Sequence, residues 1–317
     1  VNVYIKYNFE YGPIYDIINK FNKKKINFFI DLQSICTGFY NRDVVLMEVG
    51  RYVSDGAISD ILLTEYRNYL INLYTRFKKY DPYFVTFFDD GACLQNRSIN
   101  KEYKNKSSMD NIQVEVENIQ LFRSIKKYYF QKIYEQYNLK PEVSKAFYLK
   151  EYEADCIPHY CLMNNLFDGQ DPDVINVILS KDKDLLQTCK FKNTYQAVTG
   201  FKTSKENRGR YSKLFDYDNC IEYIYPNFKR GILNASHIPL ILAIMGDKSD
   251  VVDGIANIGP AKAIKLIQDY NLPTSINELK QKKDLPNIIK ENLDLVINNL
   301  RVVDFEEQIK RIPIEKF

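Results

Sequence analysis

Val174-Ile175-Asn176-Val177-Ile178-Leu179-Ser180-Lys181-Asp182-Lys183-Asp184 is the stretch from which the fold is most directly read. Its first six residues are apolar but for one Asn and rich in β-branched side chains, which suits a strand buried on both faces. Two carboxylates, two residues apart, follow at once. The same arrangement recurs upstream. Ile26-Asn27-Phe28-Phe29-Ile30 runs into Asp31, and Tyr83-Phe84-Val85-Thr86-Phe87-Phe88 runs into Asp89 and Asp90. Between these two, over residues 58–80, Leu62, Tyr66, Tyr69, Leu70, Leu73 and Phe77 form a helical stripe that Asp81-Pro82 ends. Strands alternating with helices predict an α/β chain with a mostly parallel central sheet flanked by helices. Ligands of such sheets bind beyond the carboxyl ends of the strands, and here three strands deliver an acid to that end.

Further from this frame the signals weaken. Residues 1–25 read as a polar, aromatic, peripheral lead-in. A polar and basic stretch over 91–110 carries Arg97, Lys101, Lys104 and Lys106, and from Ile112 to Ile133 the helical period returns. Glu151 to Met163 begins acidic, as helix N-termini do, and Pro158 inside it predicts a kink. Residues 193–213 read as a basic hairpin turning at Asn207-Arg208-Gly209. Beyond about residue 215 the chain reads as largely helical.

Composition narrows the class. The chain has 317 residues, 45% hydrophobic and 27% charged, as expected of a soluble globular protein. No apolar run has membrane-spanning length, and the first residues lack a signal-peptide pattern, so no membrane partner and a cytoplasmic location are expected. The net charge of +3 does not by itself point to nucleic acid. The six cysteines form no CxxC pair and read as reduced thiols. His159 and His237 are far apart and read as packing or surface residues rather than zinc ligands. Abundant Lys, Asn, Ile and Tyr with no Trp fit an AT-rich coding sequence such as a phage genome.

Eight acids form the candidate site: Asp31, Asp89, Glu153, Asp155, Asp182, Asp184, Asp247 and Asp250. Singly, each reads equally well as a helix cap or a solvated loop residue. As a converging set they repel one another unless cations neutralise them. Hard divalent ions take oxygen ligands, and two of them roughly 3.5–4 Å apart are suited to phosphodiester hydrolysis. An extended strand end would point Asp182 and Asp184 the same way, and one helical turn would do so for Asp247 and Asp250. Glu153 and Asp155 need irregular or helix-start geometry. A phosphatase-type Asp-x-Asp nucleophile is disfavoured, because the first strand continues Asp31-Leu32-Gln33.

Taken in order, the segments resemble the flap-endonuclease family of 5′ nucleases, and within it the phage RNase H and phage 5′-exonuclease branch. The likeness rests on Phe29-Ile30-Asp31, on Phe87-Phe88-Asp89 with Arg97 and Tyr103-Lys104, and on Tyr152-Glu153-Ala154-Asp155. It continues through Ser180-Lys181-Asp182-Lys183-Asp184, Gly246-Asp247-Lys248-Ser249-Asp250 and Gly254-Ile255-Ala256-Asn257-Ile258-Gly259-Pro260-Ala261-Lys262-Ala263. Cys156 stands where many members have a further Asp, and the distance to Arg97 and Lys104 favours Asp89 over Asp90.

The resemblance implies a PIN-like nuclease domain over 1–215, with a helical arch at about 92–125. It implies a smaller helical DNA-binding domain over 216–317, with a helix–three-turn–helix at about 236–270. Two Mg2+ ions are implied, with Mn2+ able to substitute. Asp31, Asp89, Glu153 and Asp155 would serve the first ion, Asp182 would bridge or lie near it, and Asp184, Asp247 and Asp250 would serve the second. Lys104 and Arg97 would face the scissile phosphate, and Gly254, Ile255, Ile258, Gly259, Lys262 and Lys265 would meet duplex DNA, with a K+ ion at that motif. Gly254 and Gly259 would allow tight turns, and Pro260 would open the next helix. The implied activity is 5′-3′ exonuclease and flap endonuclease action on branched or flapped DNA and on RNA primers in RNA–DNA hybrid, by a monomer engaged in replication. A catalytically weak structure-specific DNA-binding protein and a PIN-type ribonuclease are the alternatives.

Overall fold

The structure is a computed structural model and describes residues 12–35, 55–89, 93–104, 132, 134–136, 142–199, 212–228 and 233–317. Strands β1 (Lys25–Asp31), β2 (Pro82–Asp89), β3 (Ser144–Leu149), β4 (Val174–Leu179), β5 (Thr194–Thr199) and β6 (Ser212–Phe215) form one sheet. Its order is β3-β2-β1-β4-β5-β6, parallel throughout except for β6, which runs antiparallel to β5. The expected mostly parallel sheet is therefore present, and β5 with β6 makes the expected hairpin. Its basic tip (Lys202, Lys205, Arg208, Arg210) lies outside the described residues, as do Asp90, most of the proposed arch and the helix expected over 112–133, save Lys132 and the helical 134–136.

Alternation along β1 sends side chains to both faces. Ile26, Phe28 and Ile30 pack with Tyr66, Leu73 and Phe77 of the helix Asp55–Phe77. Phe29 packs oppositely with Val85, Phe87, Ile178 and the helix Ile157–Met163. Each such fully buried side chain contributes roughly 1.5–3 kcal/mol of burial free energy. A third apolar cluster joins the helices Ile238–Met245, Pro260–Asp269 and Leu293–Val303 to Leu186, Cys189 and Phe215, so it crosses residue 215. Phe305 and Ile309, from the helix Phe305–Ile309, pack on the sheet face of Phe29.

Three elements depart from expectation. The lead-in contains a helix, Gly12–Lys20, whose Ile14 and Ile18 are buried against β1 and the helix 55–77. Two apolar residues four apart are enough for one face of a short helix, and too few to stand out in the sequence. β3 was not anticipated: Lys145 is half-buried and Tyr148 exposed, which breaks the apolar run on an edge strand. Pro158 does not kink a helix. The helix begins at Ile157, so Pro158 sits in its first turn, where a missing N–H costs nothing.

Candidate metal centre

Sheet register assembles the first acids. Ile30 pairs with Leu179, which brings Ser180 beside Asp31, and Ser180 Oγ donates to Asp31 Oδ2 at 2.6 Å. The Ser34 N–H donates to Asp31 Oδ1 at 2.9 Å. Burial nevertheless pushes the Asp31 carboxyl up to about 6, against these hydrogen bonds and with the charges of Asp182 and Asp89 adding to the rise. Asp89 closes β2, and its Oδ2 accepts from the Ala154 N–H at 3.1 Å. That contact draws Glu153-Ala154-Asp155 to the sheet end. Glu153 is extended, and Asp155 lies in the tight turn Ala154–Cys156, which is the irregular helix start expected of this pair.

The other two pairs converge by different means from those expected. Asp182 caps the tight helical turns Lys183–Lys190, and its Oδ1 accepts from the Asp184 N–H at 2.9 Å. Cap geometry, not strand alternation, brings these acids together. Asp247 and Asp250 are not on a helix. Strands β7 (Gly246–Asp247) and β8 (Val252–Asp253) pair antiparallel, and the turn between them folds Asp250 back, its N–H donating to the Asp247 carbonyl at 3.3 Å. Gly246 has φ +78° and Gly254 presses on the Met245 carbonyl, where a Cβ would come within 2.3 Å of its oxygen. At Gly254 the absence of a side chain thus serves a close backbone approach rather than a tight turn.

All eight acids share one field. Burial first, then Asp182 and Asp31, hold Asp155 well above the ordinary carboxylate range. Burial first, then Asp182, Asp250 and Asp247, do the same to Asp184. Asp182 and Asp250 are also raised, burial leading in both. Asp247 goes the other way: burial would raise it, but Lys183 and Ser249 outweigh that and lower it. Lys183 Nζ lies 2.7 Å from both oxygens of Asp247. Lys104 Nζ bonds Glu153 Oε1 and stands 3.8 Å from Asp250 Oδ1, while its backbone N–H donates to the Asp250 carbonyl at 2.8 Å.

Carboxylates that resist ionisation so strongly call for a cation. One ligand atom from each of Asp184, Asp247 and Asp250 lies within 4.8 Å of the others. Asp184 Oδ1 is buried without a hydrogen-bond partner among the described residues. An all-oxygen donor set with an unsatisfied buried oxygen fits a hard divalent ion.

Several expected residues sit elsewhere. Arg97 does not reach the acids through any hydrogen bond or ion pair among the described residues; its Nε donates to the Tyr103 carbonyl at 3.1 Å. Ile255 and Ile258 are 5% and 7% exposed and belong to the helical core, so their side chains face away from an external ligand. Gly259 is extended rather than tightly turned, and a Cβ there would meet nothing. Lys262 and Lys265 are exposed, with Lys262 Nζ donating to the Asn257 carbonyl at 3.0 Å. Cys156 is fully buried in the sheet-face core, its thiol pushed up by burial. Cys93, Cys161, Cys189 and Cys220 are likewise buried and free, as expected. His159 packs against Phe191 and Phe305, and His237 completes a helix cap with Asn234.

Sequence reading passed over Asn96, Ser180, Lys183, Ser249 and Arg311, and gave Tyr103 no role at the acids. Tyr103 OH donates to Glu153 Oε2 at 2.7 Å and lies 3.3 Å from Asp250 Oδ2. Lys183 and Ser249, inside Asp182-Lys183-Asp184 and Asp247-Lys248-Ser249-Asp250, had a local signal in their spacing.

The architecture, a mostly parallel sheet flanked by helices, is shared with solved structures of the T5 5′-exonuclease. The chain is similar to T5 D15 protein co-crystallised with metal ions, at TM-score 0.64 and 15% identity over 89% of this chain and 90% of that one. It is similar also to the bacteriophage T5 D15 flap endonuclease in a pseudo-enzyme-product complex with DNA and metal ions, at TM-score 0.59 and 14% identity, covering 89% of each chain. The fold of this protein is thus that of the T5 5′-exonuclease structures. Among sequence relatives, DNA polymerase I of Borreliella burgdorferi is 29% identical over 174 residues, and that of Caldicellulosiruptor bescii 28% over 215 residues. These matches cover 54% and 67% of this chain but only 17% and 21% of those polymerases. No protein-family model matches the chain. Among the described residues, no helix is long and apolar enough to cross a membrane.

Proposed function

We propose that the protein is a divalent-metal-dependent 5′ nuclease, acting as 5′-3′ exonuclease and flap endonuclease on branched, flapped or nicked DNA and on RNA primers. The observation that carries this reading is the convergence of eight mutually repelling acids at the carboxyl end of the sheet, with Asp184, Asp247 and Asp250 within ligand distance of one another. The similar T5 flap endonuclease, crystallised with DNA and metal ions, supports it. When bound, divalent cations supply an activated water and charge neutralisation at the scissile phosphate. In this reading Asp184, Asp247 and Asp250 hold one Mg2+, and Asp31, Asp89, Glu153 and Asp155 hold the other, with Asp182 between them; Mn2+ substitutes. Lys104 orients the phosphate from the rim. Arg97, whose Nε is held by the Tyr103 carbonyl, adds its charge beside it.

Residues 236–270 act as a helix–three-turn–helix, with K+ in its loop. The ten-residue helix Pro260–Asp269 presents the free N–H groups of its first turn to duplex phosphate, while Lys262 and Lys265 add charge. The nuclease domain is residues 1–215, with the arch at 92–125 admitting a single-stranded 5′ end, and 216–317 bind duplex. The protein works as a monomer in replication, in a phage-infected bacterial cytoplasm. Cys156, which stands where many members of the resembled family have a further Asp, is packed in the core on the sheet face.

The test is cleavage of a 5′-labelled flap duplex in Mg2+, with a chelator control and a matched RNA hairpin. Cleavage near the flap junction, abolished by chelator, is expected. Tight binding without cleavage in Mg2+ or Mn2+ would leave a structure-specific binding protein, and preference for the RNA hairpin a ribonuclease.

A further inference from the structure

Glu153 is held by more than its neighbours in sequence. Its Oε2 accepts from Asn96 Nδ2 at 2.6 Å as well as from Tyr103 OH, and Lys104 holds Oε1. Asn96 is 3% exposed, so this amide has no water to fall back on. Its other end, Oδ1, accepts from Arg311 Nη2 at 3.1 Å, across a chain separation of 215 residues. Arg311 follows the helix Phe305–Ile309. It is itself tied down, Nε donating to the Glu307 carbonyl at 3.0 Å and Nη2 also to the Arg301 carbonyl.

The chemistry of these groups permits one arrangement. A guanidinium only donates and an ionised carboxylate only accepts, so an amide between them must turn its oxygen to Arg311 and its NH2 to Glu153. Arg311 thereby fixes the Asn96 flip, and Asn96 fixes the rotamer of Glu153. Residues that hydrogen-bond a metal ligand from behind set its orientation, and their loss costs metal affinity. We propose that Arg311 and Asn96 are positioning residues that act in series on Glu153, so that docking of the C-terminal segment sets cation affinity at the acid cluster. This rests on the reading of Glu153 as a metal ligand.

The test is Mn2+ binding to the full chain without DNA, followed by electron paramagnetic resonance, alongside thermal melting. Arg311→Met and Asn96→Ala are each expected to weaken Mn2+ binding at one site by about tenfold, and the double variant no further than either alone. Arg311→Lys keeps the charge and most of the packing, so it serves if Arg311→Met does not fold, with a smaller weakening expected. A merely structural role would lower the melting midpoint and leave Mn2+ affinity at the wild-type value, and that result overturns the proposal. Multiplying effects in the double variant would overturn it also, since the residues would then act independently. If the wild-type chain itself binds no Mn2+, the reading of Glu153 as a ligand falls, and the relay with it.

Discussion

The two ends of the same sheet treat charge in opposite ways. At the amino ends of the strands the charges pair off within the protein: Lys24 with Asp173 at 3.1 Å and Lys25 with Asp168 at 3.4 Å, both on the surface. Two buried amides there are partnered, Asn27 Nδ2 donating to Asn176 Oδ1 at 3.0 Å and Asn176 Nδ2 to the Gly169 carbonyl at 2.7 Å. At the carboxyl ends eight acids face Lys104 and Lys183. At one end the pairs are closed within the protein; the other crowds acids that something positive from outside would relieve. The difference separates residues that hold the fold from residues that tax it for a purpose.

The sharpest way to break this contrast is Asp182→Asn. Cleavage of the flap duplex in Mg2+ is expected to fall by on the order of a thousandfold or more. The melting midpoint in chelator should hold or rise, because a repelling charge has gone. Wild-type cleavage in this variant would mean that the acid end is not the working end.

Next in size is the linkage of pH to metal. Burial lifts the Asp31 carboxyl from 3.8 to about 6. The folded chain then binds that proton more tightly than the unfolded one, so the contribution is complete below pH 4 and lost as pH climbs through about 6. Asp155 and Asp184, also raised by burial, act in the same direction. A bound divalent cation offsets this by favouring the ionised carboxylates. The stabilisation by Mg2+, measured as the unfolding free energy in urea with Mg2+ minus that with chelator, should therefore grow as pH rises from 4 to 7, reaching about 2–3 kcal/mol when Mg2+ stands near a hundred times its dissociation constant. His159, lowered from 6.5 to about 4 by burial, acts in the opposite sense, losing stability as pH falls. It packs away from the acids, against Phe191 and Phe305, and cancels in the difference. A gain that is flat with pH would contradict the linkage.

At the other end, Asn176→Ala strips the Gly169 carbonyl of the Asn176 amide and takes one of two acceptors from Asn27 Nδ2, which keeps the Phe167 carbonyl at 3.0 Å. Urea denaturation should show a loss of about 1–3 kcal/mol, with cleavage per folded molecule unchanged. Smallest of all, Lys24→Ala should move stability by no more than about 0.5 kcal/mol, since an exposed ion pair gains little. A large effect there would show that the amino end also stores charge energy.

Much of this was present in short windows of sequence. Phe29-Ile30-Asp31, Phe87-Phe88-Asp89 and Val174 to Leu179 declare buried parallel strands, because a strand covered on both faces must be apolar along its whole length. An acid set directly after each strand is delivered to the sheet's carboxyl end whatever the rest of the chain does. Asp31, Asp89, Asp182 and Asp184 were legible for that reason, while Glu153, Asp155, Asp247, Asp250 and Lys104 were singled out through the motifs of the resembled family; the burial of Ile255 and Ile258 was not legible, since an apolar loop residue looks the same facing in or out. The convergence of Asp182 with Asp184 through a cap, and of Asp247 with Asp250 through a turn, depended on local backbone geometry that spacing alone leaves open.

By itself, then, the sequence determined the sheet, its polarity and the presence of a carboxylate cluster, because periodicity and strand-end position act over a few residues. Only the tertiary structure decided that the helix 12–20 belongs to the core, that Arg97 turns to the Tyr103 carbonyl, and that Arg311 reaches Glu153 through Asn96. Those contacts join segments as far as 215 residues apart, and such a pairing exists only once the intervening chain has packed and returned.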